Sequence, residues 1–228
     1  MKIIRYESHN DIDIEFLDEN HYIKKHNTYS NFKNGEVKNP YDKTVYGIGC
    51  IGDGEYMAKV NNHNGHEYTI WAAMLNRCYR HKKMFPAYFG KCMVCDEWLN
   101  FQTFAKWYHD HEYKVNGRLH LDKDILFPGC NIYSPKTCIL VPQRINELFR
   151  ISTRKKDGFP QGIRKTKANN FSVEYSGKSL GICKTFEEAC NKYKLEKERV
   201  LKEVAEEYKS IIPIELYNAL ISYDVKVA

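Results

Sequence analysis

No stretch of the chain runs for about 18 apolar residues, so the sequence offers no membrane-spanning helix. An apolar leader is missing too. The first residues, MKIIRYESHNDIDIEF, place charges where a signal peptide needs its hydrophobic centre, and the expected location is the cytoplasm. No exact internal repeat or low-complexity tract occurs. Histidine is missing from the rest of the chain after His120: all nine lie at or before it. Acids are scarce between 154 and 180, where only Asp157 and Glu174 stand among Arg154, Lys155, Lys156, Arg164, Lys165, Lys167 and Lys178. The two ends are therefore built for different work. Eight cysteines in a chain without a leader argue for thiols, not disulfides. Cys92 and Cys95 form one CxxC in GKCMVCDEW. A structural zinc site wants four ligands, usually as two such pairs, and Cys130 and Cys138 are poorly spaced to supply the second. Small buried residues are the plain alternative.

What is present suits a folded chain of small modules. Aromatic residues make up 14% of the 228, enough for several cores. The net charge of +6 is mildly basic and supports a nucleic-acid partner only weakly by itself. The expected class is α+β. Residues 1–60 read as a β-rich segment: IDIEFL alternates, and YGIGCIGDGEY is a glycine-rich hairpin candidate, with turn chemistry in NFKNGEVKNPY. Residues 67–111 read as two helices, from Tyr68, Trp71, Leu75 and Cys78 and then Trp98, Phe101, Phe104 and Tyr108. Such aromatic stripes are read as core. From 118 to 149 the order is strand, loop, strand, helix, with Pro142 at the helix start. Residues 150–160 read as a linker. Three short strands follow, in QGIRKTK, NNFSVEYS and SLGICK. A helix then begins near Phe186, with Thr185 and Glu188 as its capping box. Ala189, Tyr193, Val200, Val204 and Tyr208 form its apolar face.

The segment RLHLDKDILFPGCNIYSPKTCILVPQRINELF, 118–149, gathers His120, Asp122, Asp124, Asn131 and Asn146. Each has a plain reading: a solvated strand edge for the two Asp, a turn former for Asn131, the wet side of a helix for Asn146. LDKDIL, NIYSPKTC, ILVP and RIN together resemble the phage-borne branch of the HNH endonuclease family. IWAAMLNRCY and VCDEWLNFQTFAKW are similar to the helical segment preceding its motif, so the resemblance covers 67–149. It implies a divalent metal, Mg²⁺ or Mn²⁺, held by Asp122 and Asn146, which would stabilise the leaving oxygen in phosphodiester hydrolysis. Ser134-Pro135-Lys136-Thr137 falls on the family's mid-loop, with Thr137 where the family has Asn. The departure is Lys123, which stands where the family places its base histidine. A lysine near its ordinary pKa of about 10 cannot take a proton from water at pH 7. Strand alternation puts His120 on one face with Asp122 and Asp124, and Lys123 on the other. Three readings stay open: His120 substitutes as base, Lys123 steadies a phosphate, or the unit is a scaffold without catalysis.

GIRKTKANNFSVEYSGKSLGICKTFEEACNKYKLEKE resembles the Apetala/ethylene-response-factor type of DNA-binding domain, over residues 160–227. That family packs three antiparallel strands on one helix and binds DNA through the sheet. GIR, FSVEY and LGICKTFEEA carry the likeness, with Cys183 where an aromatic is usual. It implies that Arg164 and Glu174 meet DNA. Lys165, Lys167 and Lys178 are added from charge alone, and the plain alternative is a lysine-rich solvated sheet.

Together the two resemblances imply a phage-encoded HNH protein of the homing or site-specific kind, acting on double-stranded DNA in an infected bacterial host. The competing expectation is a DNA-binding regulator or phage accessory or counter-defence protein whose HNH-like unit does not cut.

Overall fold

The computed structural model describes residues 1–150 and 158–227, and these form two compact units of mixed α+β structure built from small sheets and helices. One unit is Met1–Asp110 with Asn131–Ser134; the other is 111–130 with 135 onward.

In the first unit, β1 (Lys2–Ser8), β2 (Asp11–Glu15) and β3 (Ile23–Asn27) make an antiparallel sheet with β2 in the centre. Ile12 and Ile14 are fully buried with Phe16 and Val37, so the alternation of IDIEF does set the core face. α1 (Tyr29–Lys33) follows, its N-cap Thr28 oxygen accepting from the Asn31 N–H at 3.2 Å. The glycine-rich stretch expected as a hairpin makes only two isolated bridges, Val45–Gly49 and Cys50–Asn100. Its backbone bonds elsewhere: Cys50 N–H donates to the Leu99 carbonyl at 2.9 Å, and the Cys50 carbonyl accepts from Phe101 at 3.0 Å. A two-residue hairpin, β4 (Lys59–Val60) and β5 (His63–Asn64), turns on the left-handed Asn61 and Asn62.

α2 (His66–Tyr79), β6 (Met93–Val94), a 3₁₀ turn (Asp96–Leu99) and α3 (Phe101–His111) complete the helical part. Trp71, Leu75, Cys78, Trp98, Phe101, Phe104 and Tyr108 are buried, and the Trp71 indole N–H donates to the Trp98 carbonyl at 2.7 Å. The aromatic stripes are core except at Tyr68, which is half-buried.

The second unit holds β7 (Leu119–Asp122). The chain then contributes β8 (Ile132–Tyr133) to the first unit, parallel to β6, and returns as β9 (Ile139–Pro142) antiparallel to β7. Pro142 closes β9 and stands at the N-cap of α4 (Gln143–Leu148), one residue earlier than the favoured proline position. β10 (Ile163–Lys165), β11 (Phe171–Tyr175) and β12 (Lys178–Cys183) form an antiparallel sheet with β11 central. α5 (Phe186–Tyr208) starts on the complete Thr185–Glu188 capping box, and α6 (Ile214–Ile221), which the sequence reading did not include, follows Pro213. The expected linker falls largely on 151–157, outside the described residues, as do Arg154, Lys155, Lys156 and Asp157.

α5 joins two clusters. Its N-terminal part places Ala189 and Tyr193 against Ile163, Val173, Tyr175 and Cys183 of the sheet. Its later part packs Leu201, Val204 and Ala205 on Val141 and Ile145 of the β7–β9–α4 unit, with Ile212, Leu216, Leu220 and Val225 closing the same core. Val200 and Tyr208, expected on the apolar face, are only half-buried; Leu201 and Ala205 take the deeper positions, because the helix must satisfy two neighbours along its length.

Candidate metal centre and nucleic-acid interface

β7 positions the first group of side chains. Leu119 and Leu121 are buried, which turns His120 and Asp122 to the opposite, half-buried face. α4 presents Asn146 to that face. Its side-chain amide Nδ2 lies 3.2 Å from His120 Nδ1. With the amide N–H donating, Nδ1 is the acceptor and Nε2 carries the proton of the neutral imidazole. Rotating the amide by 180° sets Asn146 Oδ1 against an Nδ1–H and presents an unprotonated Nε2. Only the second arrangement makes His120 a base.

Asp122 is held by the backbone after the strand. Its Oδ1 accepts from the N–H groups of Asp124 and Ile125, each at 2.8 Å. Burial pushes its pKa up, the two backbone N–H bonds oppose the rise, Asp124 adds to it, and Lys123 opposes it. The Tyr223 hydroxyl is raised chiefly by burial and also by the charges of Asp122 and Asp124.

Lys123 lies past the end of β7, and only 4% of it is exposed. Its ammonium donates to Asp124 Oδ1 at 2.7 Å and to the Cys130 carbonyl at 2.5 Å. It therefore closes the loop from 123 to 130. Asp124 itself stays about half exposed.

Thus the structure brings His120 to Asn146, Lys123 to Asp124, and Asp122 to the backbone of the next turn. It does not bring His120, Asp122 and Asp124 into one set. Among the described residues, the one group of three or more His, Cys, Asp or Glu with ligand atoms within 4.8 Å of one another is Asp11, Asp13 and His26. Sequence reasoning did not single that group out. It is already occupied by a cation: Arg5 donates to Asp13 Oδ2 at 2.8 Å and to Asp11 Oδ1 at 2.7 Å. The Arg5 hydrogen bond, then the His26 backbone N–H, holds the Asp13 carboxyl down to about 2. Buried Cys92 and half-buried Cys95 gain no third ligand of those types at such distance among the described residues. Burial raises the Cys95 thiol pKa.

The donor chemistry at β7 and α4 nevertheless fits a hard cation. Both hydrogen bonds to Asp122 use Oδ1, which leaves Oδ2 as a carboxylate donor, and Asn146 brings an amide oxygen. Mg²⁺ takes one or two protein oxygens and keeps several waters.

The C-terminal sheet sorts its side chains by register. Arg164 pairs with Ser172, which pairs with Ile182 on the far strand. Ile163, Val173, Tyr175 and Cys183 face α5, so Arg164, Ser172, Glu174 and Ile182 share the open face. Ile182 is 67% exposed there. Lys165 ends β10 opposite Phe171, Lys167 sits in the turn between β10 and β11, and Lys178 begins β12 opposite Tyr175. All three are exposed, but at edges and turns. A groove of about 560 Å³ is lined by Arg164, Ser172 and Glu174 from this face together with Arg144, Glu147 and Arg150 at and just beyond α4.

Gly162 sets the start of the sheet. Its φ is +82°, and a Cβ there would lie 2.2 Å from the Glu174 carbonyl oxygen and 2.5 Å from the Tyr193 ring. Its own carbonyl accepts from Glu174 N–H at 2.8 Å. Only glycine fits this conformation and approach.

No protein-family model, curated protein or solved structure matches the chain.

Proposed function

We propose that the chain is a DNA-binding protein whose β7–β9–α4 unit hydrolyses phosphodiester bonds with a bound divalent ion, Mg²⁺ or Mn²⁺, and whose C-terminal sheet selects where it binds. The observation that carries this reading is the meeting of strand and helix side chains, His120 with Asn146 at 3.2 Å, beside a carboxylate on the same strand face. Asp122 Oδ2 and Asn146 Oδ1 would hold the ion. Bound there, a divalent cation stabilises charge on the phosphate and its leaving oxygen. His120 takes a proton from water through Nε2 when Asn146 turns its oxygen toward Nδ1, one lone pair of Oδ1 accepting from the imidazole N–H and the other left for the ion. Arg164, on the open sheet face, is suited to a bidentate contact with a guanine edge, while the exposed Lys165, Lys167 and Lys178 reach phosphates.

A second reading has a specific observation behind it. Lys123, in the position where an HNH enzyme keeps its base, is buried and committed to Asp124 and Cys130. A unit of that kind would be a scaffold within a DNA-binding regulator or accessory protein.

Supercoiled plasmid incubated with the protein in Mg²⁺ or Mn²⁺ separates the two. Asp122→Asn is the appropriate control, because it keeps an Oδ1 acceptor for the turn while removing the carboxylate charge. Nicking by the wild type and none by Asp122→Asn supports hydrolysis. Equal nicking by both assigns the activity to a contaminant, and no nicking in either metal favours the second reading. Arg164→Ala should weaken binding to a selected sequence by about 1–3 kcal/mol and leave non-specific binding nearly unchanged. Equal loss on both DNAs would remove the sheet from sequence selection.

A further inference from the structure

Every fourth residue of α5 falls on one ridge: Ala189, Tyr193, Lys197, Leu201 and Ala205. Four of the five are buried core residues. The fifth, Lys197, is half-buried and comes between Tyr193, which packs under the sheet, and Leu201, which packs under β9 and α4. A cation in such a place wants an acid or hydrogen-bond acceptors.

The neighbouring acids are engaged by other groups. Asp224 pairs with Lys194. Glu198 accepts from the Val225 N–H at 3.1 Å and lies 3.7 Å from Lys194. Glu196 pairs with Arg199 at 2.8 Å. Among the described residues, no hydrogen bond or ion pair engages Lys197. Burial alone lowers its pKa.

Lys197 lines a cavity of about 750 Å³ within the second unit. Ile125 and Pro128 from the loop after β7 form part of its wall, with Phe149 after α4 and Tyr223 and Val225 from the C-terminal segment. Asp224, the one acid in the wall, is the residue paired to Lys194, and Lys226 adds a second positive charge. Apolar walls with a few polar groups, at 300–1,000 Å³, are the usual form of a small-molecule site.

We propose that this cavity binds a small organic anion: a carboxylate or phosphate head on Lys197, with an apolar or aromatic body against Ile125, Phe149 and Tyr223. The occupant would tie the loop that follows Asp122 to α5 and the C-terminal segment. The site is independent of whether the chain cleaves DNA.

Isothermal titration of the full chain with 1-naphthoate, 1-naphthyl phosphate and the uncharged 1-naphthalenemethanol tests this. The wild type should bind one equivalent of at least one anion, at least tenfold tighter than the neutral compound. The preferred anion tells carboxylate from phosphate. Lys197→Met should weaken that anion at least tenfold and change the neutral compound less than twofold, and Lys197→Arg should restore most of the affinity. Absence of saturable binding by either anion, or equal affinity in Lys197→Met, overturns the proposal. Should Lys197→Met fail to fold by circular dichroism, the wild type decides: after reductive ¹³C-methylation, the Lys197 resonance must shift on adding anion but not the neutral compound. No shift overturns it.

Discussion

Lys123 illustrates how one side chain can change the role of a motif. Its ammonium lies at a position that faces the interior, and its bonds to Asp124 and to the Cys130 carbonyl fix the loop beyond β7. Lys123→Met should therefore cost about 1–3 kcal/mol, chiefly from leaving the Cys130 carbonyl without this donor. Urea denaturation measures the loss, and amides of 123–130 should exchange faster with solvent. Asp122 behaves in the opposite sense. Its folded pKa is raised, so the native state holds the proton more tightly than the unfolded chain does. The favourable contribution is complete below the unfolded value of about 3.9 and is lost as pH rises through the folded pKa. At pH 7 the wild type carries the cost of a half-buried charge. Asp122→Asn should then melt at or above the wild-type temperature at pH 7, with the advantage gone by about pH 3, below both values. Mg²⁺ should raise the melting temperature of the wild type and not of Asp122→Asn. A wild-type midpoint well above the variant's at pH 7 without metal would contradict this account.

Among the elements, the C-terminal sheet depends most on one backbone position. Gly162→Ala forces a Cβ into the Glu174 carbonyl and the Tyr193 ring at positive φ, and should cost about 2–3 kcal/mol in the urea midpoint. A loss near zero would mean the β10 entry rearranges freely. Much of this region is legible in the sequence: the three strands, the helix start and the capping box follow from alternation, turn residues and Thr185-x-x-Glu188. So do the aromatic stripes of α2 and α3. What the sequence hides is partnership. The YGIGCIGDGEY stretch has hairpin chemistry, yet Cys50 bonds to Leu99 and Phe101, which no local pattern announces. β6 and β8 are two residues each, with paired residues 39 positions apart in sequence, too short for a periodic signal. At the candidate site, alternation correctly sets His120 and Asp122 on one face, and register distinguishes Arg164 and Glu174 from the lysines chosen by charge. The Asn146–His120 contact and the Lys123–Cys130 bond depend on tertiary placement. Lys197 lies on an i, i+4 ridge with Tyr193 and Leu201, but a single charge at such a position has the same pattern as a solvated helix face.

At the scale of the molecule, the second unit does not divide where its two resemblances divide. Leu201, Val204 and Ala205 of α5 are core residues for Val141 and Ile145, which belong to β9 and α4. Leu201→Ala should cost about 2–5 kcal/mol. It should lower hydrogen-exchange protection in β7 and β9 as well as in α5, whereas loss confined to α5 would show that the two parts open separately. A shared interior also governs what can be transplanted. A fragment carrying the sheet and α5 to a foreign protein would expose the apolar patch that α4 and β9 normally cover, and a fragment ending after α4 would lack the lid over Ile145. Side-chain exchanges on the open sheet face should therefore be tolerated better than any cut that separates these backbone segments.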